Sequence, residues 1–383
     1  MPARLLIATT VDATLEGFLV PFADHFRSRG WTVDAAAAGA SGNPAVVSHF
    51  DRVWEMGWSR RPLDGKNLEA AGQIREMARE GRYNIVHVHT PVASFLTRFA
   101  LKDLRARTGL KVVYTAHGFH CHPGGDPVKN RIFATLERTA SKWTDALVVI
   151  NHEDERLARR LGLAGKGKLY YMPGIGIDLA AYSRESLPPG AVEAVERELG
   201  LEPDGALFLT IAAFDPGKKH ADLLRAFKLV HRPGIHLALA GIGPTMEAMR
   251  TLTSELGLDE SVHFLGQRSD VPALLAASTA LVHPSAREGL PRSIMEAMAM
   301  RTPVIGTSIR GTGELLSGGA GWLVDVGDVD GLADAMSQAL SDAPLRQTCA
   351  ARARIRVSRY ALPRVIALHD EMYDELLRPP LAG

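Results

Sequence analysis

LFLTIAAFDPGKKHADLLRAFKLVHRPGIHLALAGIGP, residues 207–244, is the stretch on which the reading of the fold turns. It opens with an apolar run that reads as a strand over 207–212 and passes through a turn rich in Gly, Pro and Lys. Helical spacing follows over 220–230, and a second apolar run over 237–240. Strand, crossover helix and strand make one unit of a parallel sheet covered by helices. The alternation continues on both sides. Strands are predicted at 5–9, 32–37, 85–89, 112–116, 146–150 and 169–172, then at 207–212, 237–240, 262–265, 280–283, 303–306 and 321–324. Helices are predicted between them, among them 17–29, 68–80, 92–107, 129–142, 220–230, 245–256, 270–276, 291–300 and 329–341.

Between the two series the pattern breaks into Gly, Pro and Ser over 172–190, which marks a linker. With 383 residues the chain is long for one core, so two domains are expected, 1–175 and 176–360. The helical segment 361–378 is expected to pack back on the first. The fold class is therefore α/β, two Rossmann-like doubly wound domains facing across a cleft. Such sheets take ligands at the carboxyl ends of their strands.

Composition narrows the function. Lys plus Arg number 44 and Asp plus Glu 43, which leaves no global field to attract nucleic acid. The two cysteines, Cys121 and Cys349, lie far apart and suit a reducing compartment. The start, MPARLLIATT, lacks a leader's apolar run, and no window approaches the roughly twenty apolar residues that span a bilayer. A cytoplasmic protein, at most peripheral on the inner membrane face, is expected. After the first strand stands TTVDATLEGF, without the three spaced glycines of a dinucleotide site, which argues against a nicotinamide oxidoreductase.

The stretch HPSAREGLPRSIMEAMAMRTPVIGTSIRGTGELL, residues 283–316, carries two glutamates separated by seven residues, Glu288 and Glu296. Gly289, Leu290 and Pro291 open a helix between them, and the amides of a helix start favour an anion such as a diphosphate. Glu288 can accept hydrogen bonds from sugar hydroxyls and Glu296 can grip a ribose diol. Equally, Glu288 can cap the helix and Glu296 can be a solvated face residue. Gly241 and Gly243 follow a strand and precede a helix, where they can bring backbone close to a nucleotide, although such turns favour glycine anyway.

This stretch resembles the donor-site signature of the retaining family-4 glycosyltransferases of GT-B architecture. The likeness extends to SRRPLDGKNL (59–68), IVHVHTPVASFLTRFA (85–100), YTAHGFH (114–120), NHEDERLA (151–158), PGIGID (173–178) and FLGQRSDVPALLAAS (264–278). These are similar to the branch that builds bacterial surface or lipid-linked glycans. The resemblance implies that Lys218 faces the donor diphosphate and that His117 hydrogen-bonds the donor sugar near the reacting carbon. It also exposes a departure: many members place an arginine five residues before that lysine, and here stands Ala213, to be offset by Lys219 or Arg268.

His117, His120, Cys121 and His122 lie near His87 and His89 but lack zinc-site spacing; no metal and no cofactor are expected. His87 and His89 are expected to pack or hydrogen-bond within the sheet. Arg60, Pro62, Asn67 and His120 are candidates for the acceptor side, with a plain surface loop as the competing view of the first three. Arg98, Lys102, Arg105 and Arg107 mark a basic helix over 97–111 that suits either an anionic membrane or ordinary solvation.

The expected partners are a nucleotide-sugar donor, of UDP type, and a glycan, lipid-linked or small-molecule acceptor. Leaving diphosphate would take the acceptor's proton, attack would come on the same face, and configuration would be retained without an enzymic base. A nucleotide-sugar epimerase and a non-catalytic sugar- or nucleotide-binding protein are the rival classes.

Overall fold

The computed structural model describes residues 2–58, 64–121 and 125–379, leaving aside the side chains of Lys66 and Leu68. The chain divides into two compact units, Met1–Ile175 with Pro363–Gly383, and Gly176–Leu362.

The first unit holds strands β1 (Arg4–Val11), β2 (Thr32–Ala38), β3 (Arg52–Glu55), β4 (Ile85–His89), β5 (Lys111–Ala116), β6 (Ala146–Val149) and β7 (Lys168–Tyr171). They form one sheet in the order β3-β2-β1-β4-β5-β6-β7, and the pairings are parallel. The second unit repeats the plan with β8 (Ala206–Ile211), β9 (Ile235–Ala240), β10 (Val262–Gly266), β11 (Ala280–His283), β12 (Val304–Thr307) and β13 (Trp322–Val324). Its order is β10-β9-β8-β11-β12-β13, again parallel. β4 and β11 are buried along their whole length, as strands covered on both faces must be.

Each sheet grows outward from its first strand and then jumps back to that strand's other side. The reversal falls between β1 and β4 in one unit and between β8 and β11 in the other, and the loops diverge there to leave a crevice at the carboxyl ends.

Two elements differ from the sequence reading. β3 had no apolar signal because it is an edge strand of mixed exposure, with Arg52 and Glu55 exposed at its two ends. The first helix does not run over 17–29: the chain turns helically from Asp12, widens into a π turn over Leu15–Leu19, and is α-helical over Val20–Ser28. Pro21 explains the wide turn, since it has no amide to give back to the carbonyl of Gly17.

Candidate functional site

β8 and β11 deliver the two halves of the cluster in the second unit. Beyond β8 the chain forms a tight turn, Pro216–Lys218, capped by the Asp215 carboxylate, which accepts from the Gly217 amide at 2.9 Å. The Gly217 carbonyl accepts from the Ala286 amide at 2.8 Å and from the Ser285 hydroxyl at 3.3 Å, so the β8 and β11 loops are stitched together. Lys218 Nζ then donates to Glu288 Oε1 at 2.5 Å, and His283, the last residue of β11, bonds the same oxygen through Nε2 at 2.8 Å.

Burial alone would push the Glu288 carboxyl up. His283 and Lys218 outweigh it and hold the group at about 2, ionised at any physiological pH. The turn behind Glu288 is fixed by backbone: Arg310 Nε donates to the Glu288 carbonyl at 3.2 Å, and Gly311, at φ +77°, packs on Gly289. His283 had not been singled out in the sequence. Only its place, closing an apolar strand five residues before Glu288, marks it.

The helix of this motif spans Arg292–Ala299, with Pro291 at its N-cap rather than its first turn. Glu296 is buried, which removes the solvated-face reading; its carboxylate accepts from Arg292 Nε at 2.8 Å and bonds the Tyr182 hydroxyl. His220 is buried with neither ring nitrogen hydrogen-bonded, stacked on Phe214 at 4.3 Å, and burial presses its pKa to about 4.

Gly241 and Gly243 do bring backbone close, but to the β8 loop: an added Cβ would stand 2.0 Å from the Ala212 carbonyl oxygen and 2.5 Å from that of Phe214. Beside them lies a depression of about 270 Å³ lined by Ala213, Gly241, Ile242, Gln267 and Arg268 among others. Arg268, a candidate to offset Ala213, is thus at the edge of this depression. Its guanidinium is shared between Asp270 and Glu198, two carboxylates against one cation. Lys219, 3.9 Å from Asp222, sits at φ +58° in the turn.

In the first unit, Thr10 and Thr90 meet where β1 and β4 end, hydroxyl to hydroxyl at 2.6 Å. Thr90 holds φ +68°, a costly conformation for a β-branched residue and one that accumulates at functional sites. His117 follows β5 and is half-buried, bonded through Nε2 to His89 Nδ1 at 3.0 Å. His120 is half-buried against Phe133. Asn67 is no loop residue: it is buried in the first turn of helix Lys66–Gly81. Arg60, Pro62 and His122 lie outside the described residues.

The basic-helix expectation is overturned in part. The helix spans Pro91–Thr108, but Arg98 is 1% exposed, pairs with Glu137 at 2.9 Å and lies over the Tyr114 ring. Arg105 is spent on a two-pronged bond to Asp145. Both cations face protein, because a helix over a sheet turns one long side to it. Among the described residues no helix is long and apolar enough to cross a membrane, and no group of three or more His, Cys, Asp or Glu is placed to hold a metal ion.

Comparison with known proteins supplies the family. Residues 192–356 match the model described as "Glycosyl transferases group 1", and residues 19–173 that of a "Glycosyl transferase 4-like domain". EpsD of Bacillus subtilis (strain 168), which bears the name of a glycosyltransferase, is 32% identical over 98% of this chain and 96% of its own. The UDP-Gal:alpha-D-GlcNAc-diphosphoundecaprenol alpha-1,3-galactosyltransferase of Escherichia coli is 25% identical over 72% of this chain and 71% of its own. The crystal structure of Anabaena Alr3699/HepE in complex with UDP superposes with a TM-score of 0.79 at 20% identity, covering 97% of this chain and all of the other. Two parallel doubly wound sheets, the GT-B fold and a relative aligned end to end leave one conclusion: the chain belongs to the GT-B glycosyltransferases.

Proposed function

We propose that this glycosyltransferase moves a hexosyl or N-acetylhexosaminyl group from a UDP-sugar to a hydroxyl of a lipid-linked or polymeric glycan, with retention of configuration and without a metal. The observation that carries the reading is the Lys218–Glu288–His283 cluster at the reversal point of the second sheet. A lysine there neutralises charge building on the departing diphosphate, and an ionised Glu288 accepts from donor-sugar hydroxyls while keeping Lys218 in reach. Glu296 would hold the ribose through the helix start. His117, in the first unit, would hydrogen-bond the transferred sugar.

The bond from the anomeric carbon to the diphosphate oxygen breaks as the acceptor oxygen bonds that carbon. The acceptor's proton passes to the departing oxygen on the same face, so no enzymic base is consumed. The UDP donor is supported by the relative whose name carries UDP-Gal and by the neighbour that holds UDP. The lipid-linked acceptor is supported by the first of these.

An acceptor embedded in a membrane brings the enzyme to the cytoplasmic face of that membrane. We place the contact on helix Pro127–Ala140. Val128, Ile132 and Leu136 are 68%, 53% and 42% exposed, one turn apart on one stripe, with exposed Lys129 and Arg131 to either side.

The test is UDP release and product analysis across a panel of UDP-sugars with a polyprenyl-diphosphate glycan acceptor. Lys218→Ala and Glu288→Gln should each lower kcat by about 10²-fold or more while the melting transition persists. Turnover should survive EDTA, and the product linkage should keep the donor's anomeric configuration. Near-normal kcat in both variants refutes the assignment, and donor converted to its epimer without acceptor would point to an epimerase instead.

A further inference from the structure

The first unit contains a line of imidazoles, of which the reaction above uses only the end member, His117. Alternate residues of a strand share a face, so His87 and His89 of β4 point the same way. β5 pairs with β4 in register, His87 opposite Val113 and His89 opposite Thr115, which brings Thr115 and the residue two further on, His117, onto that face. The rings stack in order: His87 on His89 at 4.3 Å between centroids and His89 on His117 at 5.2 Å. Exposure rises along the line, from 1% at His87 and 3% at His89 to a half-buried His117. The far end is anchored, since both nitrogens of His87 are taken, Nδ1 by the Tyr373 hydroxyl at 2.5 Å and Nε2 by the Thr115 hydroxyl at 2.7 Å.

We propose that His89 is a positioning residue, which fixes the tautomer and ring plane of His117 through the Nδ1 to Nε2 bond. Burial lowers the proton affinity of all three rings, with the neighbouring imidazoles adding to it, so each is neutral near pH 7. A neutral imidazole has one donor and one acceptor nitrogen, and two rings that share a hydrogen bond must take opposite roles. Once His89 Nδ1 has its role, His117 Nε2 has the complementary one, and His117 Nδ1 is left with a single defined character. That nitrogen is the polar atom His117 retains for a ligand. Stacking against His89, itself held on His87, keeps the ring from turning.

The idea rests on the reading of His117 as a sugar contact, and the experiment separates the two. In the full chain labelled with ¹⁵N histidine, two-bond ¹H–¹⁵N spectra at about pH 7.5 report each imidazole's tautomer without turnover. Wild type should show one tautomer for His117. In His89→Phe the ring position is filled but the bond is gone; His117 should show both tautomers, with kcat down by about tenfold or more and donor KM within about threefold. His89→Asn places an amide where Nδ1 stood, able to donate to or accept from His117 Nε2, and should recover the hydrogen bond and most of kcat, which also answers any loss of folding in the phenylalanine variant. A single His117 tautomer and unchanged kcat in His89→Phe overturn the proposal. Unchanged kcat in His117→Ala would remove the sugar contact on which it rests, leaving the tautomer result to stand as structure only.

Discussion

Gly311 sits at φ +77°, where a Cβ would stand 2.1 Å from the Gly289 carbonyl oxygen. Two penalties meet there, the left-handed conformation and a backbone clash, and neither can relax without moving the turn that carries Glu288. Gly311→Ala should cost about 1–3 kcal/mol of stability and raise donor KM more than it lowers kcat, by denaturant titration and initial rates. An unshifted KM would mean that the turn does not shape the donor site. Glu288 allows a second test. Its folded pKa, about 2, lies below its unfolded value of roughly 4.3, so its stabilisation is complete above the upper figure and drains as pH falls toward the lower. The stability gap between wild type and Glu288→Gln should therefore shrink between about pH 6 and about pH 3. A constant gap would show that the ion pair contributes nothing to folding. At this scale Lys218 and Glu288 were legible as members of motifs, but not that one oxygen of the Glu288 carboxylate receives Lys218 and His283 together. The separation of 70 residues between Lys218 and Glu288 is closed by strand order alone, and His283 was hidden because a histidine ending an apolar strand looks like any other core residue.

Among the elements, helices with a strong apolar period were legible and those whose two faces differ in more than hydropathy were not. Arg98 and Lys102 are four residues apart and read alike, yet Arg98 is buried against Glu137 and Tyr114 while Lys102 lies over the Phe99 and Trp143 rings. Which cation turns inward depends on an acid that another helix supplies. Conversely, the stripe Val128–Ile132–Leu136 resembles a core face in sequence, and it is the structure that leaves it uncovered within its unit. The acid on this helix, Glu137, is turned to Arg98, so the outer side offers apolar and cationic groups together. Replacing Ile132 and Leu136 by Asp should abolish flotation with vesicles containing phosphatidylglycerol, and leave kcat on a water-soluble acceptor analogue within about twofold. Equal flotation of wild type with purely zwitterionic vesicles would remove the charge argument. A concentration-dependent dimer lost in the same variant would assign the stripe to a second copy of the chain.

For the molecule as a whole, the alternation of strands and helices was enough to read two doubly wound sheets, because both follow one rule of local periodicity. β3 was lost since an edge strand with exposed charged ends carries no such period. The repeated strand order has a functional consequence. Each unit has its own reversal point, marked in the second by Lys218 and Glu288 and in the first by Thr10 and the strained Thr90, so each can hold one substrate by itself. If donor binding belongs to the second unit, UDP must protect that unit's reversal point and leave the other as it was. At a free UDP concentration of about 100 Kd the native state gains roughly 2.7 kcal/mol over any form that cannot bind. Amide exchange should then slow at the β8 loop, at Gly241–Gly243 and around Glu288, whereas amides at Thr90 and His117 should exchange at their unliganded rates. Protection that appeared first at Thr90 would transfer the nucleotide to the first unit, and with it the roles argued for Lys218 and Glu288.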